Sequence, residues 1–269
     1  MAGSRVMSFL EIAKQSAREA GKLLRDNFGQ LQQVNQMESH DIKLQMDIDC
    51  QRLIESRIVG AFPDHSIVGE EESHGDAKGE YRWVVDPLDG TVNYTYAIPH
   101  FCVSVALQRR VPQARPALGG YESVVGVIYD PMRDELFCAE KGGGAFLNGK
   151  RMVVSQRARM SEAILSVGFA KTEETINEGL HYYKSLVKAA RKIRTMGSAA
   201  LDLAYVAAGR MEMYLEFKVR LWDIAAGILL VEEAGGLVEI EPAGNLPHMF
   251  ETMGCNGKIR WREHVGKSE

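Results

Sequence analysis

Apolar residues in the first thirty positions recur at three- and four-residue spacing: Val6, Leu10, Ala13, Ala17, Ala20, Leu24 and Phe28. That period puts them on one face of an amphipathic helix, and Gly29 just beyond is a suitable stop. A second helix is expected from Asp47 to Phe62, ended by Pro63, whose ring and missing N–H do not continue a helix. The polar stretch between them, residues 30–43, reads as a hairpin or a mobile loop.

The pattern then changes period. Residues 66–69, 82–85, 101–107, 123–129, 135–139 and 144–147 are short, β-branched or aromatic runs, and Asn148-Gly149 supplies a tight-turn signal after the last. Residues 80–155 are therefore expected to form a mostly antiparallel sheet. Residues 111–120 carry Pro112, Pro116, Gly119 and Gly120 and read as a loop insertion between two strands. Beyond residue 156, strands at 164–167, 211–216 and 237–240 alternate with helices at 173–190, 199–208 and 222–234. Such alternation favours an α/β layer. The expected organisation is one domain over 1–269, with an α+β half at 1–155 and an α/β half at 156–269.

Composition narrows the class. With 45% hydrophobic and 25% charged residues in a chain of 269, a packed globular fold is expected. Lys and Arg number 32 against 36 Asp and Glu, a net charge of −4, so no broad cationic coat for nucleic acid is expected. No apolar run approaches the roughly 20 residues that span a bilayer. The first residues lack the apolar core of a signal peptide. Cys50, Cys102, Cys138 and Cys255 make no CxxC pair and sit among apolar neighbours, which suits buried thiols in a reducing cytoplasm.

Three acidic windows carry the chemistry. In Trp83-Val84-Val85-Asp86-Pro87-Leu88-Asp89-Gly90-Thr91 an apolar strand runs into two carboxylates three residues apart. By composition this is an ordinary turn. The same spacing also lets both carboxylates and the Leu88 carbonyl face one side, which suits a hard cation such as Mg²⁺. Gly90 and Thr91 then offer N–H groups of the kind that bind phosphate. Gly69-Glu70-Glu71-Glu72-Ser73 brings together carboxylates that repel unless a cation neutralises them, or else forms a solvated loop. Asp223 opens an apolar helix at Trp222-Asp223-Ile224-Ala225-Ala226-Gly227, a position equally suited to a helix cap. Taken together, Glu70, Asp86, Asp89 and Asp223 are a plausible ligand set for two divalent cations. His40, His65, His74 and His100 fit surface or structural roles, and no nucleophile triad stands out.

These windows resemble those of the inositol monophosphatase family of Mg²⁺-dependent, lithium-sensitive phosphatases. The resemblance is carried by GEEES at 69–73, WVVDPLDGTVNY at 83–94, GVIYDP at 126–131, GGGAFLNG at 142–149 and WDIAAG at 222–227, and it extends from about residue 6 to about residue 260. It implies a layered α-β-α-β-α sandwich of the inositol monophosphatase and fructose-1,6-bisphosphatase type. It implies a first metal site at Glu70, Asp86 and the Leu88 carbonyl, and a second at Asp86, Asp89 and Asp223. Gly90 and Thr91 match the phosphate-binding amides, and Asp47 the partner of the Thr91 hydroxyl. Glu216 matches a ligand of a substrate hydroxyl, and Gly197, Ser198 and Ala199 the wall beside the substrate ring. The implied reaction is in-line attack of an activated water on phosphorus, oriented by Glu70 and the Thr91–Asp47 pair.

The resemblance further implies hydrolysis of a small phosphomonoester, foremost myo-inositol 1-phosphate, by a cytoplasmic homodimer. Fructose-1,6-bisphosphatase, histidinol-phosphatase and 3′-phosphoadenosine-type nucleotidase activities are the alternatives within the superfamily. A mainly regulatory role with the transcription machinery is the alternative outside it. The Lys43-Leu44-Gln45-Met46 stretch departs from the family pattern and leaves a third metal open. Lys218 and Arg220 alternate with Glu216, so on a regular strand they would share its face, either as a solvated edge or as contacts to a second phosphate.

Overall fold

The computed structural model describes residues 7–30, 34–37, 42–76, 79–111, 113, 115–169, 173–244 and 247–265. Helix α1 covers Phe9–Asp26, capped by the Ser8 side chain, which accepts from the Glu11 N–H. Its apolar stripe, including Ala13, Ala17, Ala20 and Leu24, is buried. A two-stranded hairpin follows, β1 at Val34–Met37 against β2 at Ile42–Leu44. It leads into α2, Gln45–Ala61. Of the two readings of residues 30–43, the hairpin is the one found in the described part; His40 lies outside it.

The large sheet has eight strands: β3 Ser66–Gly69, β4 Ser73–His74, β5 Tyr81–Asp89, β6 Cys102–Arg110, β7 Tyr121–Asp130, β8 Glu135–Glu140, β9 Gly144–Leu147 and β10 Lys150–Arg151. Their spatial order is β10-β9-β8-β7-β6-β5-β3-β4. All neighbours run antiparallel except β3 and β5. The central strands β5, β6 and β7 are buried over most of their length, because helices cover both faces of the sheet. A short helix, α3 at Thr91–Thr95, follows β5 directly.

The second sheet is mixed, with strands β11 Ile164–Val167, β12 Lys192–Arg194, β13 Met213–Arg220, β14 Leu237–Pro242 and β15 Met249–Cys255, in the order β12-β11-β13-β15-β14. Helices α4 Glu173–Ala189, α5 Ala199–Ala207 and α6 Leu221–Glu233 complete the chain. Helices α5 and α6 lie between the two sheets, α1 and α2 cover the outer face of the first, and α4 covers the second. The layers are thus α-β-α-β-α, as the resemblance implies. The central core joins residues from both halves, among them Ile128 and Phe137 from the large sheet, Leu203 and Leu229 from the inner helices, and Tyr214 from the second sheet.

The segment between β6 and β7 is the expected connection between two strands, and its described part is anchored: Pro116–Leu118 is a single 3₁₀ turn, Leu118 is buried, and Arg115 pairs with Glu232 of α6. Alternation along β13 is broken by a bulge between Glu216 and Val219, with Lys218 at φ +60°. Arg220 stacks on Trp222 instead of facing the same space as Glu216.

Candidate active site

Strand β5 delivers the first carboxylates. Its pairing with β6 is regular to Asp86 and Ser104, then shifts before Asp89 and Cys102. This irregularity falls at Pro87, which has no N–H to give a ladder. The Leu88 N–H turns back to Asp86 Oδ1 at 2.9 Å. Gly90 follows at φ +98°, and a side chain there would crowd the His100 carbonyl at 3.0 Å. Only glycine takes this left-handed step comfortably, and the step starts α3 at Thr91.

Asp223 arrives from the other half. It sits in the first turn of α6, where its Oδ2 accepts the Arg220 N–H at 3.0 Å. Carboxylate oxygens of Asp86, Asp89 and Asp223 all lie within 4.8 Å of one another. Glu70, just past β3, stands close enough to these acids for their charges to act on its carboxyl. The cap reading of Asp223 and the cluster reading thus describe one and the same side chain.

Asp89 is held by the second half of the chain. Its Oδ2 accepts the Ser198 hydroxyl at 2.6 Å and the Ala200 N–H at 2.7 Å. The Thr91 hydroxyl donates to the Leu88 carbonyl at 3.0 Å. Asp47 is buried at the start of α2, where its Oδ2 accepts the Leu44 N–H at 2.7 Å. Its charge reaches Glu70, so it stands near the cluster.

The electrostatics are those of a cation site. Burial, and then the charges of Asp223 and Asp47, hold the Glu70 carboxyl well above the usual carboxylate range. Burial and the charges of Glu70, Asp89 and Asp223 do the same to Asp86. Burial raises Asp223 to about 8, helped by Asp89 and opposed by its hydrogen bond with Asp86. Asp89 rises only to about 6, because Ser198 and the Ala200 and Ala199 N–H groups stabilise its ionised form. Four acids gathered this closely resist ionising together unless positive charge joins them. Their hard oxygen donors fit a divalent cation of the Mg²⁺ type.

Beside the cluster is a cavity of about 380 Å³. Asp89, Gly90, Thr91 and Asp223 line it, together with Gly197, Ser198, Ala199 and Glu216. Burial raises Glu216 to about 7, partly offset by the Tyr214 hydroxyl, which donates to its Oε2 at 2.7 Å. Gly168, Asn93 and Asp202 also border this space, and the sequence reading did not single them out. Asn93 ties the turn after β5 to the second half by donating to the Met196 carbonyl at 2.9 Å and the His100 carbonyl at 2.8 Å. A lone acid in the apolar run Ala199-Ala200-Leu201-Asp202-Leu203-Ala204 was the available signal for Asp202.

The described histidines serve elsewhere. His65 accepts from Trp83 Nε1 at 3.1 Å and stacks on Phe62 and Tyr81. His74 meets Glu55 at 3.0 Å, and His100 is buried beside Tyr205. All four cysteines are free and buried, and burial raises their thiols.

Fold and site together define a layered α/β metal-dependent hydrolase of phosphoric monoesters, with its carboxylates drawn from both halves of the chain. The profile of the inositol monophosphatase family matches residues 6–258, and the chain belongs to that family. An inositol-1-monophosphatase of Rhizobium meliloti is 38% identical over 266 residues, covering 97% of this chain and 94% of that protein. The Nus factor SuhB of Pseudomonas aeruginosa is 40% identical over 237 residues, covering 85% of this chain and 84% of that protein. The crystal structure of the extragenic suppressor protein SuhB of Bartonella henselae superposes with a TM-score of 0.85 at 35% identity, covering 96% of this chain and 98% of that one. Among the described residues, no helix is long and apolar enough to cross a membrane.

Proposed function

We propose that this protein hydrolyses a small polyol phosphomonoester, foremost myo-inositol 1-phosphate, in a Mg²⁺-dependent and lithium-sensitive reaction. The observation that carries the reading is the carboxylate cluster of Asp86, Asp89 and Asp223 beside a cavity that Asp89, Asp223 and Glu216 all line. Glu70, Asp86, Asp89, Asp223 and the Leu88 carbonyl would hold two Mg²⁺, which when bound make a water nucleophilic near neutral pH and neutralise charge on the leaving oxygen. The residues of the chain do the positioning. The N–H groups of Gly90 and Thr91 receive the phosphate oxygens. Glu70, with Thr91 and Asp47, orients the attacking water. Glu216 accepts a hydroxyl of the leaving alcohol, while Gly197, Ser198 and Ala199 shape the wall beside its ring. In this reading the protein acts as a homodimer.

Phosphate release from about twenty phosphomonoesters, with Mg²⁺ and with or without Li⁺, tests this reading. Preference for inositol 1-phosphate, lost with chelator and reduced by Li⁺, is the expected result. Strong activity confined to fructose 1,6-bisphosphate, histidinol phosphate or a nucleotide sinks the substrate assignment. A second reading rests on the relative named as a Nus factor: a cytoplasmic partner role in transcription alongside, or instead of, hydrolysis. Rescue of a deletion strain by an Asp86→Ala variant separates the two, since full rescue requires a role that turnover does not supply.

A further inference from the structure

Asp47, Gln51 and Glu55 recur every four residues on α2, so they share one face of the helix, and all three are buried. Gln51 is 2% exposed. Its Nε2 donates to the Glu72 carbonyl at 2.9 Å and to Glu55 Oε1 at 2.8 Å, and its Oε1 accepts the Glu71 N–H at 2.9 Å. A primary amide has two hydrogens to give and one oxygen to receive with. Both hydrogens and the oxygen are in use here. The partners also fix which end is which, since a carbonyl and a carboxylate only accept and an N–H only donates.

Two of these bonds land on the backbone just after Glu70. At Glu70 itself, the N–H donates to the Val85 carbonyl of β5 at 3.2 Å, and the Gly69 N–H closes the turn on the Glu72 carbonyl at 3.0 Å. The turn is thus pinned to β5 on one side and to α2 on the other, with the Glu70 side chain leaving between the two pins. The fit is close: a side chain at Gly69 would stand 2.4 Å from Gln51 Nε2 and 2.5 Å from the Glu72 carbonyl. Three consecutive carboxylates, Glu70, Glu71 and Glu72, repel one another and favour an open loop. The amide opposes that opening. Glu55 extends the tie, because its Oε2 meets His74 Nε2 of β4 at 3.0 Å. Gln51 is not among the residues that line the cavity, so its effect on the site passes through the turn.

We propose that Gln51 is a positioning residue whose amide clamps the 69–72 turn, so that Glu70 is presented to the Asp86, Asp89 and Asp223 carboxylates in the arrangement a divalent cation requires. The proposal rests on the metal-dependent reading above and adds to it a residue that the cation does not touch. Without the amide, the Glu71 N–H and the Glu72 carbonyl lose this partner, and the turn opens under its own charge. Glu70 then has to be ordered by the cation at the moment of binding, which weakens the binding.

The test uses Gln51→Met, which keeps the length of the side chain and removes both donors and the acceptor. Two readouts are taken on the whole chain: hydrogen exchange over residues 69–73 with chelator present, and binding of Mn²⁺, the probe ion, by calorimetry. The expected results are exchange about tenfold faster over 69–73 and a Kd for Mn²⁺ raised about tenfold. Asn256→Ala controls for lost stability alone. Asn256 is another buried amide, donating to the Ser155 and Arg157 carbonyls, and none of these three residues lines the cavity. Its Kd for Mn²⁺ should stay within about twofold of wild type. Gln51→Glu keeps the acceptor for the Glu71 N–H and should fall between wild type and Gln51→Met in both readouts. Unchanged exchange or an unchanged Kd in Gln51→Met, or an equal rise in Kd in Asn256→Ala, overturns the proposal. Should Gln51→Met fail to fold, Gln51→Glu carries the same two comparisons. If the wild type binds no Mn²⁺, the metal reading has failed by itself, and the exchange readout alone decides whether Gln51 holds the turn.

Discussion

Ser198 Oγ donates to Asp89 Oδ2 at 2.6 Å, joining residues 109 apart in the chain. Asp89 belongs to the carboxylate cluster with Asp86 and Asp223, and Ser198 opens α5 in the second half. One hydrogen bond therefore couples the placement of a cluster carboxylate to the placement of a cavity-lining residue. It also explains why Asp89 is raised only to about 6 while Asp223, with fewer donors, reaches about 8.

Ser198→Ala is expected to raise the Asp89 carboxyl and loosen its orientation. A hydrogen bond to an ionised group is worth about 1.5–3 kcal/mol, so the variant loses stability on that scale. Half-maximal activity will require more Mg²⁺, and the acid limb of the pH–rate profile will move to higher pH. Metal titrations and pH profiles of both proteins check this. An unchanged Mg²⁺ requirement contradicts the coupling.

Much of this arrangement was legible in the sequence. The periodic segments gave α1, α5 and α6 to within a few residues, because each buries a largely apolar face, and Pro63 marked the end of α2, whose buried face also carries Asp47, Gln51 and Glu55. The acidic windows stood at element ends, and the fold brings them together. What was not legible depends on distant partners. β12 is three residues, Lys192-Ile193-Arg194, and becomes a strand only through its parallel pairing with β11. β15 carries no clean alternation because it lies between β13 and β14 with most of its side chains buried. The β13 bulge follows from the pairing, in which Phe217 and Lys218 on β13 stand against Glu251 alone on β15. Asp202 reads as an isolated acid until β11 sets Ser166 beside it.

Metal removal should make stability fall as pH rises. In the metal-free fold, Asp89 titrates at about 6 and Asp223 at about 8, against about 3.9 for an unfolded aspartate. Between pH 4 and 8 the folded state thus holds protons that the unfolded chain has released. Stability is then greatest below the unfolded value and is lost as pH climbs through the folded ones. A divalent cation replaces those protons, so it should raise Tm strongly at pH 8 and little at pH 5. Thermal melts with chelator and with Mg²⁺ at both pH values measure this. A chelated protein equally stable at pH 5 and 8 refutes it.

Tyr214→Phe isolates the polyol side of the site. The Tyr214 hydroxyl stabilises ionised Glu216, which burial nonetheless holds at about 7. Removing the hydroxyl pushes Glu216 further up, so a larger fraction is protonated at neutral pH and cannot accept. The pH at which KM for a polyol phosphate begins to worsen on acidification should move upward. KM for an aryl phosphate at the same pH values should stay level. A parallel shift for both substrates would instead indicate a disturbed metal cluster.

Asp86→Asn separates stability from activity. Asp86 is buried at 1% exposure, and that burial, followed by the charges of Glu70, Asp89 and Asp223, raises its carboxyl. Asparagine keeps the acceptor for the Leu88 N–H, now held at 2.9 Å, while deleting one of the mutually repelling charges. The metal-free variant should therefore be more stable than metal-free wild type at pH 8, by on the order of 1 kcal/mol, or about 2–4 °C in Tm. With Mg²⁺ present the order should reverse, because the variant has lost the carboxylate common to both expected metal sites and gains little from the ion. Phosphate release should fall to background in the same preparation. A metal-free variant that melts below wild type at pH 8 would mean that Asp86 serves packing more than charge, and that the cluster is not held apart by repulsion in the absence of its cations.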